Sequence, residues 1–201
     1  MMMHNVGFWG RLVSNCYQRY RQRAEALKSN AQCVAEGVDE MTRKMLLEMV
    51  NAERERIKEG FLEGVDLDEY VDKLLTHSEI LIRSQGKRCL GVLAFYCNSV
   101  LTGRAFISLL LVVPDARRRG IAHDLLDHAI RIARSRGFNS IGIEVSPANL
   151  SAQRCYGRFG FKVNGERNGL ICQELDIKHD KGRGAFSASL PSRDAVLRVA
   201  Q

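Results

Sequence analysis

Three polar side chains stand at intervals that invite chemistry. Glu144 falls near the end of an apolar run, Asn149 follows five residues later, and Tyr156 seven after that. A carboxylate can take a proton, a phenol can donate to a leaving group, and an amide can hold a polar ligand. Upstream, Arg117, Arg118 and Arg119 stand directly before Gly120-Ile121-Ala122. The first amides of a helix lack intrahelical partners and lie at its positive end, so they favour anions. A glycine there lets a ligand approach the backbone closely. Together these features suit a phosphorylated ligand. Each residue also has a plainer reading: a basic surface loop for the arginines, a solvated strand-end carboxylate for Glu144, a helix cap for Asn149, and a core phenol for Tyr156. The joint spacing argues against four independent accidents.

The elements that must position these residues follow from periodicity. Residues 106 to 113 are apolar apart from Ser108, and Pro114, lacking an N–H, ends the run, which reads as a buried strand spanning Ala105 to Val113. From Gly120 to Arg136, Ile121, Ala122, Leu125, Leu126, Ala129, Ile130 and Ala133 form one helical stripe, closed by Gly137. Ser140 to Val145 is the next strand, giving a β-α-β unit with parallel strands. A short helix is expected from Leu150 to Phe159, closed by Gly160, and places Ala152 and Tyr156 on one face. The carboxylate, amide and phenol thus gather beyond the carboxyl ends of two parallel strands, where open α/β sheets bind ligands. Phe161 to Asn164 and Leu170 to Ile177 read as a last hairpin turning through Gly165 to Gly169.

Upstream, Glu79 to Ser84, Gly91 to Cys97 and Ala105 to Val113 are three strands with short connections, hence antiparallel neighbours. Before them, Asp39 reads as the N-cap of a helix running to about Glu59, and Asp66 to Glu69 starts another that ends near His77. Residues 31 to 38 suggest a short edge strand. Residues 8 to 28 have basic amphipathic spacing, which suits either a membrane-surface or partner helix or a packed extension. After Ile177 the chain turns polar, with a weak helical pattern near Asp194 to Val199. The expected division is an N-terminal extension (1–28), a catalytic-type domain (29–177) and a flexible basic tail (178–201).

The net charge of +7 sits mostly at the ends: residues 1–28 carry five basic groups against Glu25, and residues 178–201 carry five against Asp180 and Asp194. Such a bias fits an anionic ligand, nucleic acid or acidic lipid, and does not choose among them. The six cysteines, Cys16, Cys33, Cys89, Cys97, Cys155 and Cys172, include no CxxC pair, which fits a reduced cytosol and gives no metal site. No apolar stretch reaches the length of a membrane span, and the first residues lack the core of a signal peptide. A cytoplasmic location is the expectation.

With these residues in place, the chain resembles the GNAT superfamily of acyl-CoA N-acyltransferases over about residues 31–177. The segment from Val112 to Ala122 matches the family's pyrophosphate loop, Gln/Arg-x-x-Gly-x-Gly/Ala, with Arg117, Gly120 and Ala122 at the pattern positions. The resemblance implies an α/β (α+β) fold: a mixed, mostly antiparallel twisted sheet with a central β-α-β acyl-CoA-binding unit and flanking helices. It implies acetyl-CoA as co-substrate, held by Leu110, Leu111 and Val112 along the pantetheine, by the loop residues Arg117, Arg118, Arg119, Gly120, Ile121 and Ala122, and by Asn149 and Ala152 on the other side. It also implies Glu144 as general base and Tyr156 beside the sulfur, a spacing similar to that of ribosomal-protein alanine N-acetyltransferases. Those enzymes carry tyrosines in the last hairpin, whereas the turn from Asn164 to Gly169 here has no aromatic. This departure favours a small-molecule or sugar amine as acceptor. The alternatives are a peptide or protein amino terminus, or a non-catalytic acyl-CoA-binding regulator. Tyr70, Asp72 and Tyr96 are the candidate acceptor-side residues. No nucleic-acid partner is expected, and the reading allows a homodimer.

Overall fold

Alternating apolar runs and helical stripes organise the described residues, 36–57, 61–98, 103–178 and 196–199 of the computed structural model, around one seven-stranded sheet. By its internal contacts the chain divides into two units, residues 1–42 and 43–201. Of the first, only residues 36–42 are described, as the opening turns of helix α1, Glu36–Ile57. The second unit holds α2, Leu67–His77; β1, Glu79–Gln85; β2, Arg88–Tyr96; β3, Arg104–Val112; α3, Ile121–Ser135; β4, Ser140–Val145; α4, Leu150–Phe159; β5, Lys162–Arg167; β6, Leu170–Asp176; and β7, Val196–Val199. The strand order is β5-β6-β4-β3-β2-β1-β7, and only β3 and β4 run parallel.

Two apolar layers sandwich the sheet. On one side α3 contributes Ile121, Leu125, Leu126, Ala129, Ile130 and Ala133, and α4 contributes Tyr156 and Phe159, against strand residues from β1 to β6. On the other, Leu46 and Val50 of α1 and Leu67, Val71 and Leu74 of α2 cover Ile80, Ile82, Val92, Ala94, Leu109 and Leu111. Strands β1 and β2 are buried on both faces, which explains their continuous apolar runs. Among the described residues, the strand side chains of the second layer come from β1, β2 and β3.

Local chemistry sets the ends of the helices. The Asp66 side chain accepts from Glu69 N–H and starts α2. Asn149 does the same for α4 through Ala152 N–H, and Gly160, with φ of +103°, stops it. Gly91 allows α3 to pack tightly on β2: a Cβ there would lie 2.9 Å from Ile121 Cγ2 and 3.0 Å from the Leu111 carbonyl.

Four expectations are corrected. Helix α1 begins at Glu36, so residues 36–38 are helical rather than strand and Asp39 is inside the helix, not its cap. Residues 196–199 are strand rather than helix: β7 pairs antiparallel with β1 from Ile80↔Val199 to Arg83↔Val196. The β7 backbone satisfies the open edge of β1, which a helix would have left exposed. The last hairpin turns at Asn168-Gly169, with φ of +52° and +76°, rather than across Gly165 to Gly169; Gly165 is absorbed into β5 beside a bulge. Strand β2 starts at Arg88 and stops at Tyr96, so Cys97 lies beyond it. The expected N-terminal helix, and residues 31–35 of the expected edge strand, lie outside the described residues.

Candidate active site

The site is built on the point where two strands part. β3 and β4 pair only from Arg104↔Ser140 to Ile107↔Ile143, yet β3 continues to Val112 and β4 to Val145. Beyond Ile107 the β4-facing backbone of β3 has no strand partner among the described residues. The Val113 N–H donates to the Leu90 carbonyl on the β2 side, so alternation turns the Leu110 and Val112 N–H groups into the gap. A bulge marks the same place. Ala94 pairs with Leu109 and Phe95 with Ile107, leaving Ser108 extra. A bulge bends its strand and re-aims side chains. Here Ile107 packs with the α3 layer, while Leu109 and Leu111 pack with α1 and α2.

Past β3, Pro114–Ala116 makes a single 3₁₀ turn, and the chain then bends through Arg118 and Gly120, with φ of +65° and +83°. Gly120 is the N-cap of α3 and offers no side chain to its first amides. A Cβ at Gly120 would meet nothing within 4 Å, so the space over the helix start is open. The three arginines divide. Arg118 and Arg119 are exposed beside this end. Arg117 instead turns back: its Nε donates to the Val112 carbonyl at 2.9 Å and its Nη2 to both Glu53 oxygens of α1 at 3.0 and 2.8 Å. Arg56 holds the same carboxylate at 2.6 and 2.8 Å. Burial would raise the Glu53 pKa, but the Arg56 and Arg117 guanidiniums outweigh it and hold the carboxyl below its ordinary value. An apolar-walled groove of about 240 Å³ runs between this stretch of α1 and the segment from Leu111 to Pro114.

Glu144 and Tyr156 lie on opposite faces of the sheet. The Glu144 side chain is 10% exposed and faces away from the α3 layer, 3.8 Å from Arg167 Nη1 and accepting from the Cys172 thiol at 3.8 Å. Tyr156 is buried in the α3 layer, its ring 5.8 Å from that of Phe161. Burial raises the pKa of the phenol far above its usual value, so the hydroxyl keeps its proton at neutral pH. Asn149 caps α4 with its Oδ1, which leaves its amide nitrogen as a donor, and Ala152 is partly buried against the core one turn before Tyr156.

Of the acceptor-side candidates, Tyr70 and Tyr96 converge on Ser108. Tyr70 donates to the Ser108 carbonyl at 3.2 Å, and Tyr96 shares a hydrogen bond with the Ser108 side chain. Burial pushes the Tyr70 pKa up to about 12 and raises that of Tyr96. Asp72 does not join them: it accepts from Arg43 at 2.6 Å on the exposed face of α2, two residues and about 200° around the helix from Tyr70. Periodicity alone did not expose Ser108, Glu53 or Arg167. Ser108 was visible as the one polar break in the apolar run of β3, while the other two come from distant segments and left no local signal. Among the described residues no cluster of side chains could hold a metal ion, and no helix is long and apolar enough to cross a membrane.

Comparison with known proteins identifies the family and the fold. The Acetyltransferase (GNAT) family matches residues 45–161, more than half of the chain. N-alpha-acetyltransferase MAK3 of Arabidopsis thaliana is 37% identical over 60 residues, 30% of this chain and 32% of that protein, so the match spans about a third of the relative's length. Two solved structures share the fold. An acetyltransferase of the GNAT family from Staphylococcus aureus Mu50 superposes with a TM-score of 0.57 at 15% identity, covering 68% of this chain and 93% of that one. The PaiA N-acetyltransferase of Thermoplasma acidophilum, solved with coenzyme A, gives 0.54 at 16% identity, covering 69% and 92%. With the strand–turn–helix unit lying inside the matched residues, the chain belongs to the GNAT family of acyl-CoA-dependent N-acetyltransferases.

Proposed function

We propose that this chain transfers an acetyl group from acetyl-CoA to a primary amine by direct attack in a ternary complex. The observation that carries this reading is the parting of β3 and β4, with Glu144 beside it on one face, Tyr156 on the other and the uncapped start of α3 beyond it. The co-substrate supplies an activated acyl thioester and a phosphorylated tail. The amides at the start of α3, with Arg118 and Arg119 nearby, suit the phosphates. The Leu110 and Val112 N–H groups suit an extended arm laid along β3, and one of them can stabilise charge developing on the thioester oxygen.

Glu144 is the proposed base. An alkyl ammonium with a pKa near 10.4 costs about 4.6 kcal/mol to deprotonate at pH 7, and an α-amino group near 8 only about 1.4, at about 1.36 per pH unit. Tyr156 keeps its proton and donates to the departing sulfur. A thiol of pKa about 8.5 does not need full proton transfer from it, so a hydrogen bond is enough. The sequence favours a small-molecule or sugar amine because the last hairpin carries no aromatic. The similarity to N-alpha-acetyltransferase MAK3 favours a second reading, a peptide amino terminus. Purified chain with acetyl-CoA and a panel of sugar amines, alkyl amines and peptides, read by thiol release, tests the activity. No release above hydrolysis with any amine would support the regulator instead.

A further inference from the structure

The bulge in β3 and the end of its pairing with β4 fall at one place. Ile107 is the last residue of β3 with a partner on β4, and Ser108 is the extra residue on the β2 side. Among the described residues, Ser108 therefore has no register partner in either ladder. Past it, β3 pairs with β2 alone, and the Leu110 and Val112 N–H groups face the gap. A residue outside the ladder has its backbone groups satisfied from elsewhere. Here a donor comes from another element. The Tyr70 hydroxyl donates to the Ser108 carbonyl at 3.2 Å across 38 residues of sequence, and it lies 3.5 Å from the Ser108 hydroxyl. Tyr70 is itself held in place. It sits in the first turn of α2, where its N–H donates to the Asp66 carbonyl at 3.0 Å and the Asp66 side chain caps the same turn. Leu67, three residues before it, and Leu74, four after it, are buried on the same face of the helix. Burial pushes the phenol pKa up to about 12, so it remains a donor through the neutral range.

Resting on the acetyl-transfer reading, we infer that Tyr70 is a positioning residue on the thioester side of the reaction, and not a contact for the acceptor. By holding the Ser108 carbonyl it fixes the bulge, and the bulge aims the Leu110 and Val112 N–H groups at the acyl-CoA arm. The role follows from the order of parts along β3. The bulge joins the half that is paired on both sides, Arg104 to Ile107, to the half that is open on one side. A rotation of the Ser108 peptide is passed to donors two and four residues further on. Preorganised donors lose their effect when displaced, even by a small distance. An acceptor contact gives the opposite pattern, in which amine affinity changes and acyl-CoA affinity does not. Tyr96 is a useful contrast, because its hydrogen bond is to the Ser108 side chain.

The test uses the full chain and Tyr70→Phe, which removes one oxygen and leaves the ring in place. Calorimetry with acetyl-CoA and no amine should show Kd raised about fivefold, and thiol release should show kcat about tenfold lower for every amine accepted, with the amine KM little changed. Ser108→Ala keeps the carbonyl, so it should weaken acetyl-CoA binding less than Tyr70→Phe does. Three results overturn the inference. A lower melting temperature with Kd and kcat per folded molecule unchanged makes the tyrosine merely structural. A change confined to the amine KM makes it an acceptor contact. A loss in Ser108→Ala equal to or larger than that in Tyr70→Phe assigns the work to the serine hydroxyl. The calorimetry does not depend on turnover. Weakened acetyl-CoA binding in a chain that releases no thiol with any amine keeps Tyr70 at the acyl-CoA edge and removes the acetyl-transfer reading. Thiol release with Kd and kcat unmoved by Tyr70→Phe does the reverse.

Discussion

The strand–turn–helix unit and the face of β4 and β6 that carries Glu144 are built by different rules. The unit from β3 to α3 works through its backbone: amides turned into a gap, a helix start without a cap, and two positive-φ residues in the turn. Its side chains serve mostly to hold that backbone, as Arg117 does when it ties the loop to Glu53. The β4–β6 face instead presents side chains on a regular ladder, Glu144 opposite Cys172 and Gly142 opposite Glu174. A backbone site tolerates wide changes of side chain and so keeps a recognisable spacing. A side-chain site changes character with each substitution, so its ligand must be argued residue by residue.

The sharpest way to break the contrast is at the two groups proposed to react, Glu144 and Tyr156. Glu144→Gln should lower turnover by about 10²–10⁴-fold with little change in acetyl-CoA affinity, measured by stopped assay and calorimetry. An unaltered rate would remove Glu144 from the reaction. Tyr156→Phe should fall in the same range while leaving acetyl-CoA binding nearly intact. Normal turnover would leave the tyrosine a purely packed residue.

Next in size is the packing that supports the backbone site. Gly91→Ala sets a methyl against Ile121 and the Leu111 carbonyl and should cost about 1–3 kcal/mol. At roughly 2–4 °C per kcal/mol, that is readable by calorimetry. An unshifted melting temperature would mean α3 can move away from β2 freely.

The smallest effect concerns pH. The folded Glu53 pKa lies below its ordinary value of 4.5, so this group adds stability above that value, and the contribution is lost as pH falls through the folded pKa. Glu53→Gln should therefore flatten the fall in urea stability between about pH 5 and 3. The same variant frees Arg117, so it should also weaken acetyl-CoA binding modestly. A change in the acid limb with no change in binding would uncouple the strut from the loop.

These elements differed in how far the sequence revealed them. Helix α4 was legible from Leu150 to Phe159 because Asn149 and Gly160 mark both ends with cap chemistry. The β3–β4 pair was legible from its apolar runs and the intervening helix. The split of Glu144 and Tyr156 between faces was not, because spacing along a chain carries no record of which side of a sheet a following helix takes. The β7 strand was hidden for another reason: four residues satisfy helix and strand patterns alike, and pairing with β1 decides between them. Asp72 looked close to Tyr70 in sequence, yet adjacent helix positions diverge in space, and Arg43 was there to receive it.

Ser108 carries a consequence for how this strand can change length. Removing it would leave Ile107, Leu109, Leu110 and Leu111 alternating without interruption, each still directed to the layer it now occupies. The hydrophobic interior would thus accept a chain shorter by one residue at this position. Such a deletion should yield a stably folded protein whose β2–β3 ladder runs without a bulge and whose two tyrosines lose their shared partner. Deleting Leu109 instead removes a buried core contact. Set side by side, the two deletions separate what this strand needs in order to fold from what it keeps in order to react.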